Sequence, residues 1–287
     1  MLVRQQTARS GAVLIVSARF QPVVQHVIAA GHRLEYFWTR ERRNHEPVLI
    51  FLHEGLGSAA LWRDFPAQLA RATGLPGLVY SRYGHGASDV LAGDRAVTYM
   101  HDEALVSLPE LRSELALDDV ILVGHSDGAS IALIHAAAAD LPVRSVILEA
   151  PHVVVEDLTI ASIENAAKAY KNSSLAERIA RHHADGAKTF SGWNRIWLDP
   201  AFRSWSIDEY LPNVRCPALV VQGTDDEYGT LLQVDRIKRR CSGPVETFVL
   251  SDCRHAPHRD RPETVLRRMT EFIGQNLQPV VRTEVSA

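Results

Sequence analysis

The sequence predicts an α/β fold: a mostly parallel central sheet with helices on both faces, plus an inserted helical cap. Three observations carry this. Short apolar runs alternate with helix-length segments along most of the chain, as repeated strand–helix–strand units do. Two of the runs, "PVLIFLH" (47–53) and "VILVGH" (120–125), are too continuously apolar for a half-exposed strand and fit one covered on both faces. Between about 152 and 212 the alternation stops, the sequence becomes helical and aromatic, and strand character resumes at "CPALVVQG" (216–223).

Taken in order, "VVQHVIAAGHRLEYFWT" (23–39) reads as two short strands around Ala30-Gly31, and "RERRNHE" as a polar turn before the first buried run. A glycine loop "EGLGS", a helix over "LWRDFPAQLARAT" (61–73) and a strand "GLVYS" follow. "YMHDEALVSLPELRSEL" (99–115) has leucines at helical spacing, Leu105, Leu108, Leu111 and Leu115. "DDVILVGHS" is a strand leading straight into Ser126; "DGASIALIHAAAADL" is a helix and "RSVILEA" the next strand. Inside the insertion, Ser174 and Glu177 form a capping-box pair. Beyond it come a strand, a polar loop and a closing helix up to residue 277. The organisation expected is a disordered N-terminal extension at 1–22, a core made of 23–151 and 213–287, and a cap or lid at 152–212.

A chain of 287 residues, 46% hydrophobic and 23% charged, has material for one large core with an insert. The net charge of −3 supplies no basic surface for phosphates, so nucleic acid is excluded as a partner. No apolar stretch is long enough to span a membrane. The start, with Arg4 and Arg9 before a short apolar run, is only a weak match to a signal peptide. Three cysteines, Cys216, Cys241 and Cys253, lack both metal-type pairing and disulfide density, which fits a reducing, cytoplasmic setting. The expected partner is a small-molecule substrate, and the expected state a monomer or homodimer.

The chemistry centres on "VGHSDGAS" (123–130), where Ser126 sits in a Gly-x-Ser-x-Gly frame between a buried strand and a helix. Gly124 and Gly128 leave room for the sharp turn this requires. A serine hydroxyl needs a base to take its proton and a carboxylate to orient that base. Downstream, "GTDDEYG" follows a strand and "DCRHAPHRDRP" precedes the last helix, so acid and histidine candidates arrive in the order Ser, acid, His.

On these motifs the chain resembles the α/β-hydrolase superfamily of serine hydrolases over residues 23 to about 276, the insertion excepted. The resemblance implies Asp226 as the acid, from its Gly-x-x-Asp frame, and His255 as the base, seven positions before Pro262; Asp157 is the fallback acid. It also implies an oxyanion hole from the backbone N–H groups of Asp127 and Gly55. Where the family usually reads His-Gly, this chain has His53-Glu54, so Glu54 either faces away, shapes its loop or meets the substrate. Trp193 and Trp197, four apart, share a helix face and are candidates for contact with a bulky or aromatic acyl group. Arg181, His182, His183, Lys188, Arg195 and Arg203 give the insertion a basic tint that would suit a substrate carboxylate. Neither His182-His183 nor His255-x-x-His258 makes a metal set, so neither metal nor cofactor is expected.

The function expected is a cofactor-free serine hydrolase acting on a carboxylic ester through an acyl-enzyme. Within the class, thioesterase, enol-lactonase and carbon–carbon hydrolase of ring-cleavage products stay open; Ala256, where the last often have tryptophan, weighs against that one. A ligand receptor on the same fold is the alternative of another class.

Overall fold

A computed structural model describes residues 23–43 and 45–277; the N-terminal extension expected at 1–22 lies outside the described residues. Among these, eight strands form one sheet: β1 (Gln25–Ala29), β2 (His32–Trp38), β3 (Val48–Leu52), β4 (Gly77–Tyr80), β5 (Val120–His125), β6 (Ser145–Glu149), β7 (Ala218–Gly223) and β8 (Val245–Leu250). Their order is β1-β2-β4-β3-β5-β6-β7-β8. The β1–β2 and β2–β4 pairs are antiparallel and the rest parallel.

The two-residue period of a strand splits the apolar runs between two layers. Ile50, Leu122, Val146 and Val220 face one side, with Ile131 and Ile134 of α4 (Asp127–Ala138). Leu49, Phe51, Ile121 and Leu219 face the other, with Leu69 of α1 (Phe65–Thr73) and Phe272 of α10 (Pro262–Leu277). Every residue of β3 to β7 is buried, and each such Val, Leu or Ile contributes about 1.5–3 kcal/mol by leaving water. α4 is buried from Asp127 to His135 because it is covered on its far side too, by Leu211, Val153 and Met100; it therefore lacks a polar stripe.

Several elements differ from the sequence reading. The helix expected over 61–73 breaks at Arg63 (φ 54°), leaving a 3-10 turn Ala59–Trp62 ahead of α1. The run 99–115 is α2 (Tyr99–Asp102), a π-turn Glu103–Ser107 and α3 (Leu108–Glu114); Pro109 lacks the N–H that an unbroken α-helix would use there. Between β6 and β7 lie α5 (Asp157–Asn172), α6 (Leu175–Ala180) and α7 (Gly186–Leu198). The capping box at Ser174 does not form: its hydroxyl instead accepts from Arg178 at 2.8 Å. Asp157, the fallback acid, lies in the first turn of α5, exposed and ion-paired with Arg203, while it is Asp226 that contacts His255. After β7 come α8 (Leu231–Arg240) and, beyond β8, α9 (Pro257–Asp260).

Parallel register brings the strand ends together. Leu52 pairs with Gly124, and His125 with Glu149, so the loops after β3, β5, β6, β7 and β8 emerge along one edge of the sheet, where parallel sheets carry their ligand sites.

Candidate active site

Ser126 follows β5 directly and has φ 54° and ψ −118°, a conformation a non-glycine residue adopts only at a cost of about 1–3 kcal/mol. Its surroundings enforce it. The Ser126 N–H donates to Glu149 C=O at 2.8 Å, and Ser126 C=O accepts from Ala129 N–H at 2.9 Å. A Cβ on Gly128 would stand 2.0 Å from the Leu52 carbonyl oxygen, and one on Gly124 2.4 Å from that of Gly128. Only glycine lets strand and helix approach so closely, and the turn lifts Ser126 Oγ above the sheet edge.

His255, in the loop after β8, places Nε2 2.9 Å from Ser126 Oγ. Its Nδ1 lies 2.8 and 3.0 Å from the two carboxylate oxygens of Asp226, in the loop after β7. Asp226 Oδ1 also accepts from the Tyr228 and Gly229 N–H groups, and Oδ2 from the Gln222 side chain at 2.7 Å. Burial pushes the Asp226 carboxyl up, but His255 and the Tyr228 amide outweigh it and hold the group below its ordinary value. An ionised Asp226 requires Nδ1 of His255 to carry a proton, leaving Nε2 free to accept one from Ser126.

Gly55 and Asp127 line the same cavity as Ser126, and among the described residues neither N–H has a backbone or side-chain acceptor. Asp127 opens α4, where the helix dipole favours negative charge. Glu54 lines the cavity in front of Ser126. Its carboxylate stands 3.7 Å from His125 Nδ1 and 3.7 Å from Arg259. Burial opposes its ionisation, yet His125 and Arg259 hold Glu54 well below the usual carboxylate range. His125 is raised in turn: burial lowers it, and Glu54, Glu149 and the His255 carbonyl outweigh that. His125 Nε2 donates to the His255 C=O at 2.7 Å, so this pair buttresses the histidine loop.

The cavity has a volume of about 400 Å³ and is roofed by Thr159, Ile163, Trp193 and Trp197 of α5 and α7. The Trp193 indole packs on Gly55, where a Cβ would stand 2.2 Å from its Nε1. None of Arg181, His182, His183, Lys188, Arg195 and Arg203 lines the cavity. Arg195 pairs with Asp94 and Arg203 with Asp157, while His183 bonds the backbone at Gly86 and Leu56. Their charge therefore serves the outer surface of the insertion and its contacts with neighbouring loops, and none of it is presented to a substrate carboxylate.

Other residues at the site went unread in the sequence. His152, in the loop after β6, lines the cavity beside His255, with ring centroids 5.6 Å apart, and meets Trp197 edge-on at 5.2 Å. Burial and the His255 charge lower its pKa to about 3, so it is neutral. Its position after a strand end was the available signal. Behind the site, His258 Nδ1 contacts Glu149 Oε2 at 2.9 Å, both buried; nothing in the local sequence marks that pair.

Residues 49–268 match a family described as the alpha/beta hydrolase family. The chain is 31% identical over 157 residues to a 2-succinyl-6-hydroxy-2,4-cyclohexadiene-1-carboxylate synthase of Enterobacter sp. (strain 638), covering 54% of this chain and 55% of that relative. It thus spans about half that relative's length. To a proline iminopeptidase of Lactobacillus delbrueckii subsp. bulgaricus it is 25% identical over 254 residues, covering 73% and 83%. Among solved structures, VinJ superposes with a TM-score of 0.67 at 22% identity, covering 90% of this chain and 100% of that one, a likeness of fold.

Proposed function

The chain belongs to the α/β-hydrolase family, and from that premise we propose that it is a cofactor-free serine esterase with Ser126, His255 and Asp226 as its triad. The observation that carries the reading is the unbroken hydrogen-bonded line from Ser126 Oγ through His255 to Asp226 at the mouth of the cavity. Ser126 Oγ attacks the ester carbonyl while His255 Nε2 takes its proton, and charge develops on the carbonyl oxygen between the Gly55 and Asp127 N–H groups. Collapse expels the alcohol, which receives that proton. Water, deprotonated by His255, then attacks the acyl-enzyme and releases the acid.

The lining supports an uncharged, bulky or aromatic acyl group. Each carboxylate around the cavity is already engaged: Glu54 by His125 and Arg259, Asp127 by Tyr99, Glu227 by Arg254, and Asp260 by the Arg254 N–H. A peptide's terminal ammonium, which the likeness to an iminopeptidase brings to mind, would need a carboxylate of its own. The apolar walls from Leu56, Ile163, Trp193 and Trp197 suit a ring or a branched chain instead. The helices between β6 and β7 act as the lid.

Labelling with a fluorophosphonate, peptide mapping and a p-nitrophenyl ester series test this. The expected result is one adduct, on Ser126, with turnover lost in parallel and highest for aryl or branched acyl groups. Ester turnover that survives full labelling, or an adduct elsewhere, overturns it.

A further inference from the structure

Arg82, in the loop after β4, has no solvent exposure and touches both sides of the oxyanion site. On the first side, its backbone N–H donates to His53 Nε2 at 3.1 Å. Burial and the Arg82 charge hold the His53 pKa well below its ordinary value, so the ring is neutral and its proton sits on Nδ1. That Nδ1–H donates to the Glu54 carbonyl at 2.7 Å. Arg82 Nη2 donates to the same carbonyl at 3.1 Å and to that of His53 at 3.2 Å. The Gly57 N–H adds a third bond to the Glu54 carbonyl at 3.0 Å.

The Glu54 carbonyl and the Gly55 N–H are two ends of one planar, conjugated peptide group. Three donors on the oxygen fix that plane and draw electron density from the nitrogen, which strengthens the N–H as a donor. On the second side, Arg82 Nη2 lies 3.8 Å from Asp127 Oδ2. That oxygen accepts from the Tyr99 hydroxyl at 2.7 Å, and Tyr99 accepts from the Trp197 indole of α7 at 3.1 Å. Asp127 supplies the other N–H.

We propose that Arg82 is a positioning residue for the hydrolysis: one buried guanidinium sets both amides, Gly55 and Asp127, toward the oxygen that gains charge in the transition state. The inference rests on the triad reading above. A donor set fixed this way stabilises the tetrahedral state and leaves the ground-state ester almost untouched, so the effect belongs in kcat and not in KM.

The test measures kcat, KM, melting temperature and the affinity of a trifluoromethyl ketone, a tetrahedral mimic, in Arg82→Met, Arg82→Lys and Tyr99→Phe, with Ser126→Ala alongside. Arg82→Met is expected to lose about 10²-fold in kcat, as for removal of one oxyanion donor, with KM held and ketone affinity falling by the same factor. Arg82→Lys, which keeps the charge and one donor, recovers part of both. Tyr99→Phe loses a smaller factor in both, with KM held. Should Arg82→Met not fold, the Lys and Phe variants carry the same comparison. Unchanged kcat in these variants, or a loss confined to KM, overturns the proposal while an inactive Ser126→Ala leaves the triad reading standing. An active Ser126→Ala brings down the triad reading and this one with it.

Discussion

The floor and the roof of the cavity are held by different forces. On the floor, Ser126, Asp226 and the Glu54–Gly55 peptide are fixed by backbone hydrogen bonds and close approaches at strand ends. In the roof, Trp193 and Trp197 are held mainly by inclined aromatic contacts, with Phe190 5.9 Å from Trp193 and Phe202 edge-on 5.0 Å from Trp197, and one indole hydrogen bond from Trp197 to Tyr99. Backbone bonding has narrow tolerance, whereas apolar packing accepts side chains of similar volume. On the proposed reading, that difference assigns the floor to whether chemistry occurs and the roof to what it occurs on.

The largest effect expected is from Ser126→Ala. It should remove about 10⁴–10⁶ of kcat and shift the melting temperature little, since Ala fits the turn as Ser does; ester turnover with thermal denaturation checks both. Asp226→Asn comes next, at about 10⁴ in kcat, because the amide would hold His255 in the wrong tautomer. A loss confined to KM would break the contrast at its centre.

Trp193→Leu probes the roof. The expectation is a loss of about 10-fold in kcat/KM for a bulky acyl ester, with an acetyl ester almost unaffected. Equal losses for both would mean that the roof takes part in the chemistry, and the contrast would need redrawing.

The smallest effect concerns Glu54 and His125. Glu54 is depressed, so its contribution to stability is present above the ordinary carboxylate pKa and lost as pH falls through the folded value. His125 is raised, so its contribution is present below the ordinary histidine pKa of about 6.5 and lost as pH rises through its folded value. Melting temperature should therefore peak between these limits. Glu54→Gln should flatten that peak by about 2–4 °C, and an unaltered pH profile would show that the pair contributes nothing.

Legibility in the sequence followed the same division. Strand runs such as "VILVGH" are readable because burial on both faces demands unbroken apolar residues, and Ser126 because a strand end and a glycine turn frame it, whereas the choice of Asp226 over Asp225 and of His255 over His258 came from the resemblance to the α/β-hydrolase frame. The Ser174 capping box failed because a local pattern competes with other partners, here Arg178. The basic residues of the insertion left two readings open, solvated surface or a carboxylate site, because helix rotation decides which way a charge points. Arg82 and Tyr99 carry no signal of their own: they reach the site only through contacts distant in sequence, the 28-residue separations of Tyr99–Asp127 and Arg82–Glu54.

By itself the sequence determined the α/β architecture and set a serine, a carboxylate and a histidine in the order that the proposed triad needs, since periodicity and turn chemistry are local properties. Tertiary structure alone decided which loops meet Ser126 at the cavity, which carboxylates are already paired and which tryptophans line it. Those depend on side-chain direction and on pairing across distant loops, and both are set when the core closes and each buried polar group must find a partner.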